Sequence, residues 1–299
     1  MQHTLILKLV EEIARAGSIR SAADRMAITP SALNRRLLAL EAELNTQIFE
    51  RRTNGVVLNA AGEIFVAHAR RQLADVERVQ SQIADLKGAR RGRVALSVDP
   101  SVKSDGMFSA KVAEYRAAFP GVSFAIEAQE ETALTAAMVD YQSDLALQFH
   151  PRANPALQSL SAAPATIVAV GRPGHPRLTG APLRLHDLVE CPLILPRRGP
   201  LRSLLDTAAR QQGVPLTVVI EAELGFGAAT LRASDAIGFE IDTGWASEDG
   251  FARQRLSDKD LPRTYIHLSQ LRGRTLSVAA GRFAEHVKQA FAALLDDPF

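Results

Sequence analysis

Residues 26–44 read MAITPSALNRRLLALEAEL. Thr29 is a good helix N-cap, and Pro30 suits the first helical position, where its missing N–H costs nothing. The stretch therefore predicts a helix starting at Pro30. On a wheel of about 100° per residue, Leu33, Leu37, Leu40 and Leu44 fall in one narrow sector, while Ser31, Asn34, Arg35 and Leu38 lie on or toward the other side. Packing accounts for the leucines. The outer face needs another reason, because it joins small polar and basic groups to the positive end of a helix dipole with free N–H groups.

Two helices precede it. Leu5, Ile6, Leu9, Val10 and Ile13 recur at helical spacing until Ala16-Gly17-Ser18 breaks the pattern. Ser18 can cap a second helix through IRSAADRM, where Ala22 and Ala23 let a neighbouring backbone come close. Three short helices, with the third presenting such a face, meet the requirement for insertion into a DNA major groove. On this helix alone, an ordinary solvated face is the alternative. Residues 45–65, NTQIFERRTNGVVLNAAGEIF, favour the groove-reading form. They hold Arg51 and Arg52, then a Thr-Asn-Gly turn between strand-like runs, which reads as a small β wing. Arginines on a wing beside a reading helix meet phosphates and position the protein without reading sequence.

Beyond Gly62 a proline-free stretch places apolar or small residues at Ala69, Leu73, Val76, Val79, Ile83 and Leu86. Steps of four and three make a seam for a partner helix, so Leu73, Val76, Val79, Ile83 and Leu86 are expected to dimerise. An amphipathic helix lying on its own domain is the alternative. GARRGR closes the helix as a linker.

The 299 residues suit two or three domains. With 35 basic and 33 acidic side chains the net charge is only +2. Any polyanion must therefore meet a local patch. Through residue 92 there are 14 Lys or Arg against 10 Asp or Glu, so the basic excess is N-terminal.

From Val94 the pattern alternates. VALSV, VSFAIEA, DLALQF, TIVAV, PLILP and LTVVIEAEL read as strands, and KVAEYRAAF, TALTAAMVDY, LRSLLDTAARQQ and AGRFAEHVKQAFAALL as helices. An α/β architecture with mostly parallel sheets follows, long enough for two lobes. Ligands in such folds sit beyond the carboxyl ends of strands. That rule nominates Pro100, Ser101 and Val102 after the first strand, Gln148 and His150 after the third, and Arg198 in ILPRRGP. A planar guanidinium there suits a carboxylate ligand.

Enzyme signatures are missing. There is no G-x-S-x-G, P-loop, dinucleotide G-x-G-x-x-G or H-E-x-x-H pattern. The seven histidines show no metal-ligand spacing, and neither metal nor cofactor is expected. Cys191, the one cysteine, sits in an apolar run and reads as a buried structural thiol. No run approaches the roughly 20 apolar residues of a membrane span, and the first residues lack a signal-peptide core. A cytoplasmic protein is expected.

The pattern Gly17-Ser18, Ala22-Ala23, Leu40-Glu41, Leu44, Phe49-Glu50-Arg51 and Leu58 with Ala61-Gly62 resembles the LysR-type transcriptional regulators. FPGVSFAIEA, YQSDLALQF and GRPGHPRL look like landmarks of that family's regulatory domain. The resemblance implies an α+β multidomain chain. It has a winged helix-turn-helix (residues 1–60), a linker and dimerisation helix (61–92), and a two-lobed domain like the periplasmic binding proteins (93–299). The chain would cross between lobes near 163–170 and return near 265–270. It also implies a homodimer or homotetramer that binds double-stranded operator DNA and senses a small-molecule effector, and that contacts RNA polymerase if it activates. Pro30, Ser31, Asn34 and Arg35 would then serve base edges, with Ser18, Thr29, Arg51 and Arg52 on phosphates. Leu38 is either a surface leucine or a contact for a thymine methyl. The chain departs from the family pattern at Asn34 for Ser, Asn45 for Gly and Asn59 for Thr. Asn34 matters most, since asparagine can pair bidentately with adenine where serine offers one hydroxyl. A cytoplasmic solute-binding protein, or a degenerate regulator acting through protein contacts, are the rival readings. Salt-dependent binding to promoter DNA separates them.

Overall fold

The computed structural model describes residues 2–86, 91–102, 106–222, 228–243 and 250–296. They form two units, one from the residues before 88 and one from most of those after. In the first, helices α1 (Gln2–Ala16), α2 (Ile19–Arg25) and α3 (Pro30–Glu43) precede a two-stranded ribbon of β1 (Phe49–Arg52) and β2 (Gly55–Leu58), then helix α4 (Ala60–Leu86). Leu9, Val10 and Ile13 from α1, Ala22 and Ala23 from α2, and Leu33, Leu37 and Leu40 from α3 share one core with Ile48, Phe49, Val56 and Val66. Leu44 does not join it. That residue is the C-cap of α3 and 39% exposed, because the helix ends just where the wheel would return it to the core.

Local chemistry fixes the joints of this unit. Ser18 caps α2 and Thr29 caps α3, each accepting from a backbone N–H three residues on. Buried Glu12 pairs with Arg15 on its own helix and with Arg25 at the end of α2. Glu41 Oε1 accepts from the Ile48 N–H at 2.9 Å, tying α3 to the ribbon. The ribbon closes on the turn between α1 and α2, where the Val56 N–H donates to Gly17 O at 2.8 Å. At Gly55 (φ +139°) a Cβ would stand 2.1 Å from that same carbonyl oxygen. Two departures from the family pattern are met by the backbone. Asn45 occupies φ +50°, a left-handed position that asparagine tolerates, and Asn59 Oδ1 accepts from the Gly62 N–H at the start of α4.

The second unit runs β3 (Gly92–Val98), α5 (Met107–Ala118), β4 (Val122–Ala128), α6 (Glu131–Val139), β5 (Leu145–Phe149), β6 (Leu157–Gly171), β7 (Leu193–Leu195), α7 (Pro200–Gln212), β8 (Val218–Glu221), α8 (Ala228–Ala233), β9 (Ile237–Asp242), β10 (Ala252–Arg255), β11 (Thr264–Leu271) and α9 (Val278–Asp296). Among the described residues the strand order is β4-β3-β5-β11-β6-β9-β7-β8, with β10 on β6. The expectation of mostly parallel sheets needs correction. Pairs within each lobe's α/β part are parallel, but β11 and β6 pair antiparallel with each other, and β5, β9 and β10 join them antiparallel.

β6 does two jobs. Its first half pairs with β11 and its second with β9 and β10, so one strand crosses from lobe to lobe. The sequence pattern shows only its apolar end, TIVAV, because Gln158, Ser159, Ser161, Ala162 and Ala163 are polar or small and Pro164 reads as a strand breaker. Pro164 is tolerated where the strand changes partners. β9, β10 and β11 lacked strong alternation; of these only the return near 265–270 was expected.

Two outcomes follow for stability. Leu33→Ala, at a fully buried position, should cost about 2–5 kcal/mol in urea unfolding. Leu38→Ala, on the 50% exposed outer face, should stay within about 0.5 kcal/mol; equal losses would mean the helix is turned otherwise. On β11, burial and secondarily the charge of His150 hold the His267 imidazole below its ordinary value of 6.5. An unfolded chain takes up this proton as pH falls through 6.5, and the folded chain only lower. The histidine's contribution is thus complete above 6.5 and is lost as pH falls from there to the folded value. His267→Gln should flatten the pH dependence of the melting temperature in that window. An unchanged slope would exclude His267 as its source.

Candidate nucleic-acid interface and effector cleft

The first α3 turns and the ribbon assemble one exposed surface within the N-terminal unit. Thr29, Pro30, Ser31, Arg35, Arg51 and Arg52 are exposed, and Ser18 and Asn34 are half-buried. Thr29 Oγ1 lies 3.2 Å from Ser31 Oγ and also caps Ala32 N–H. The next two residues are linked across elements, since Arg51 Nη2 donates to Asn34 Oδ1 at 3.1 Å. Arg52 makes a loose pair with Glu50 at 3.6 Å, both largely exposed. Such a surface contact is worth little and leaves the guanidinium available. Arg35 and Arg36 add positive charge behind the helix tip. The surface can therefore donate hydrogen bonds to an anionic, acceptor-rich partner.

Along α4, Val66 joins the N-terminal core. The later apolar positions open outward. Leu73 and Val76 are half-buried, while Val79 and Ile83 are 44% and 48% exposed. The side chain of Leu86 lies outside the described residues.

Within the second unit, a cavity of about 380 Å³ sits where the carboxyl ends of β3, β4, β5 and β7 converge. Asp99, Pro100 and Ser101 come from the end of β3, and Glu130, Glu131 and Thr132 from the end of β4. His150 and Arg152 follow β5. Arg198, Gly199 and Pro200 follow β7, with Ser203, Leu204 and Thr207 on the first turns of α7. His150 holds φ +42°, which turns the chain away from β5. Gly199, at φ +105°, is the N-cap of α7 and makes no side-chain cap.

Charge in this cleft is mixed. Asp99 is 4% exposed, and burial pushes its carboxyl above the usual range even though the Ser101 N–H donates to it at 2.7 Å. Nearby Glu131 raises it further and accepts from the Arg152 backbone N–H at 3.1 Å. Arg198 is already engaged by the carboxylate of Glu130, which reaches it from the opposite lobe. A carboxylate ligand at Arg198 meets a guanidinium whose Nε is already given to Glu130.

Of the residues nominated by the strand-end rule, Pro100, Ser101, His150 and Arg198 line this cavity; Val102 and Gln148 do not. The Val102 N–H donates to Asp99 O, and that turn sends its side chain into the core, beside a separate void of about 50 Å³. Gln148 lies inside β5, which is buried along its whole length, rather than beyond the strand's end. Glu130, Glu131 and Thr132 lie beyond the end of the second strand, VSFAIEA, where the same strand-end rule points to them. Ser203, Leu204 and Thr207 carried the helical spacing from Pro200 that would have found them.

Comparison with known proteins accords with this architecture. A family model described as bacterial regulatory helix-turn-helix protein, lysR family, matches residues 6–63, and the LysR substrate binding domain matches residues 87–292. The nitrogen assimilation regulatory protein nac of Escherichia coli (strain K12) is 25% identical over 236 residues, 79% of this chain and 75% of its own. A probable RuBisCO transcriptional regulator of Emiliania huxleyi is 25% identical over 280 residues, 87% of this chain and 88% of its own. Among solved structures, full-length CbnR complexed with its target DNA superposes with a TM-score of 0.64 at 17% identity, covering 96% of this chain and 99% of that one. With an N-terminal helix-turn-helix and a C-terminal substrate-binding domain both matched, the chain belongs to the LysR family of DNA-binding transcriptional regulators.

Proposed function

We propose that α3 reads the operator in the major groove, with Pro30, Ser31, Asn34 and Arg35 at or near base edges. Ser18, Thr29, Arg52 and the unused N–H groups of Arg51 hold phosphates. The observation that supports this most is the division of α3 into two faces. Leu33, Leu37 and Leu40 are at most 8% exposed, whereas the small polar and basic residues stand clear of the core. The apolar stripe from Leu73 to Ile83 serves a partner helix in a homodimer or homotetramer, a reading supported by its steps of three and four and by the exposure of Val79 and Ile83, one turn apart on it. The protein acts in the cytoplasm and contacts RNA polymerase if it activates.

The effector occupies the cleft of the second unit and changes how the operator is bound. A carboxylate-bearing effector displaces Glu130 from Arg198, so binding is coupled to breaking a contact between lobes. Ser101, His150 and Thr132 add polar groups to the lining.

Two measurements test these assignments. In gel shifts against a panel of single-base operator variants, Asn34→Ala should relax preference at one position, a loss of roughly 1–3 kcal/mol there. Arg52→Ala should instead weaken every duplex alike and reduce the salt slope by about one. Uniform weakening by Asn34→Ala would remove it from base readout. In titration calorimetry with a panel of small carboxylates, Arg198→Ala should lower affinity about tenfold and Glu130→Gln should raise it. Equal affinities in all three proteins would exclude the Arg198 site.

A further inference from the structure

The hydrogen bond between Arg51 and Asn34 has a polarity that chemistry alone dictates. A guanidinium carries five N–H donors and no acceptor, so only the amide oxygen of Asn34 can face it. The donor is Nη2 of Arg51 and the acceptor Oδ1 of Asn34, 3.1 Å apart. Arg51 stands on β1 and Asn34 one turn into α3, so the ribbon sets the orientation of a side chain on the reading helix. The Nδ2 hydrogens then turn away from the arginine.

The two purines differ in what they ask of such a pair. Adenine offers N7 as an acceptor and its N6 amino group as a donor, and its bidentate pairing with asparagine needs the amide oxygen to receive that amino group. Guanine offers two adjacent acceptors, N7 and O6. An adenine amino group would have to share that oxygen with a cation, which disfavours a second positive donor there. Guanine would place its two acceptors toward the Nδ2 donors and the positive charge of the guanidinium. We propose that Arg51 acts as a positioning residue for Asn34, so that the pair presents a donor edge to the major groove and selects guanine where an unheld asparagine would select adenine. The inference rests on α3 being the groove-reading helix.

Selection of duplexes from a randomised pool by the full-length protein, and by its Asn34→Ala and Arg51→Ala variants, tests this directly. Arg51 is exposed and Asn34 half-buried, and matching melting temperatures would show that each variant keeps its fold. The wild type should enrich guanine at one position that Asn34→Ala relaxes. Arg51→Ala should move that position toward adenine, changing the guanine-to-adenine ratio about tenfold, in line with the value of one bidentate pair. Placing 7-deazaguanine there should weaken the wild type and spare Asn34→Ala. Adenine or a pyrimidine at that position in the wild type overturns the proposal. So does an Arg51→Ala variant that binds every duplex more weakly with its base preference intact. Failure of the wild type to enrich any sequence would overturn the DNA-reading role of α3 as well. Enrichment left unchanged by Asn34→Ala would overturn only the role given to this pair.

Discussion

The leucine stripe of α3, buried against α1 and α2, is the contact on which the N-terminal unit depends. Leu33, Leu37 and Leu40 have no polar alternative, so their burial sets the rotation of the helix about its axis. Ala22 and Ala23, each fully buried, keep the space between helices small. Once that rotation is set, Ser31, Asn34, Arg35 and Leu38 have nowhere to point but outward. The ribbon is held to the same frame by Glu41 and by the Gly17 carbonyl, so its arginines keep a defined place beside the helix. The proposed reading of bases and grip on phosphates would then follow from a packing constraint.

How far the sequence alone shows this varies with the physics involved. The three helices and the ribbon were legible because caps, helical periodicity and the Thr-Asn-Gly turn are local signals. Leu44 misled the wheel because periodicity says nothing about where a helix stops. In the second unit the α/β character was plain from its apolar strands, while β6 was half hidden by serines and a proline. Its partners change along its length, a long-range fact that no window of residues contains. The same limit applies to the cleft. Strand ends named Pro100, Ser101, His150 and Arg198, but the Glu130–Arg198 pair joins residues 68 positions apart and only the fold brings them together. The Asn34–Arg51 bond is of the same kind, with 17 positions between its members.

Those two cross-element contacts share a logic. Each commits an arginine to an internal acceptor before any partner arrives, and each thereby changes what the site asks of its ligand. At the cleft, a carboxylate would meet a guanidinium whose Nε is already given to Glu130. At the helix, a base would meet an amide whose oxygen is shared with a cation. Both bonds lie near the surface and are individually weak, so they tune preference more than they hold structure.

The central claim is that the N-terminal tip of α3 enters the duplex while its leucines stay packed. A photoreactive probe placed on Ser31→Cys, in a Cys191→Ser background, tests it most directly when the full-length protein is irradiated on a bound duplex. The expected result is an adduct at a fixed base inside the major groove, with a probe on Glu43→Cys at the far end of the helix giving none. Adducts from position 43 but not from position 31, or none from either on a duplex that is demonstrably bound, would contradict it.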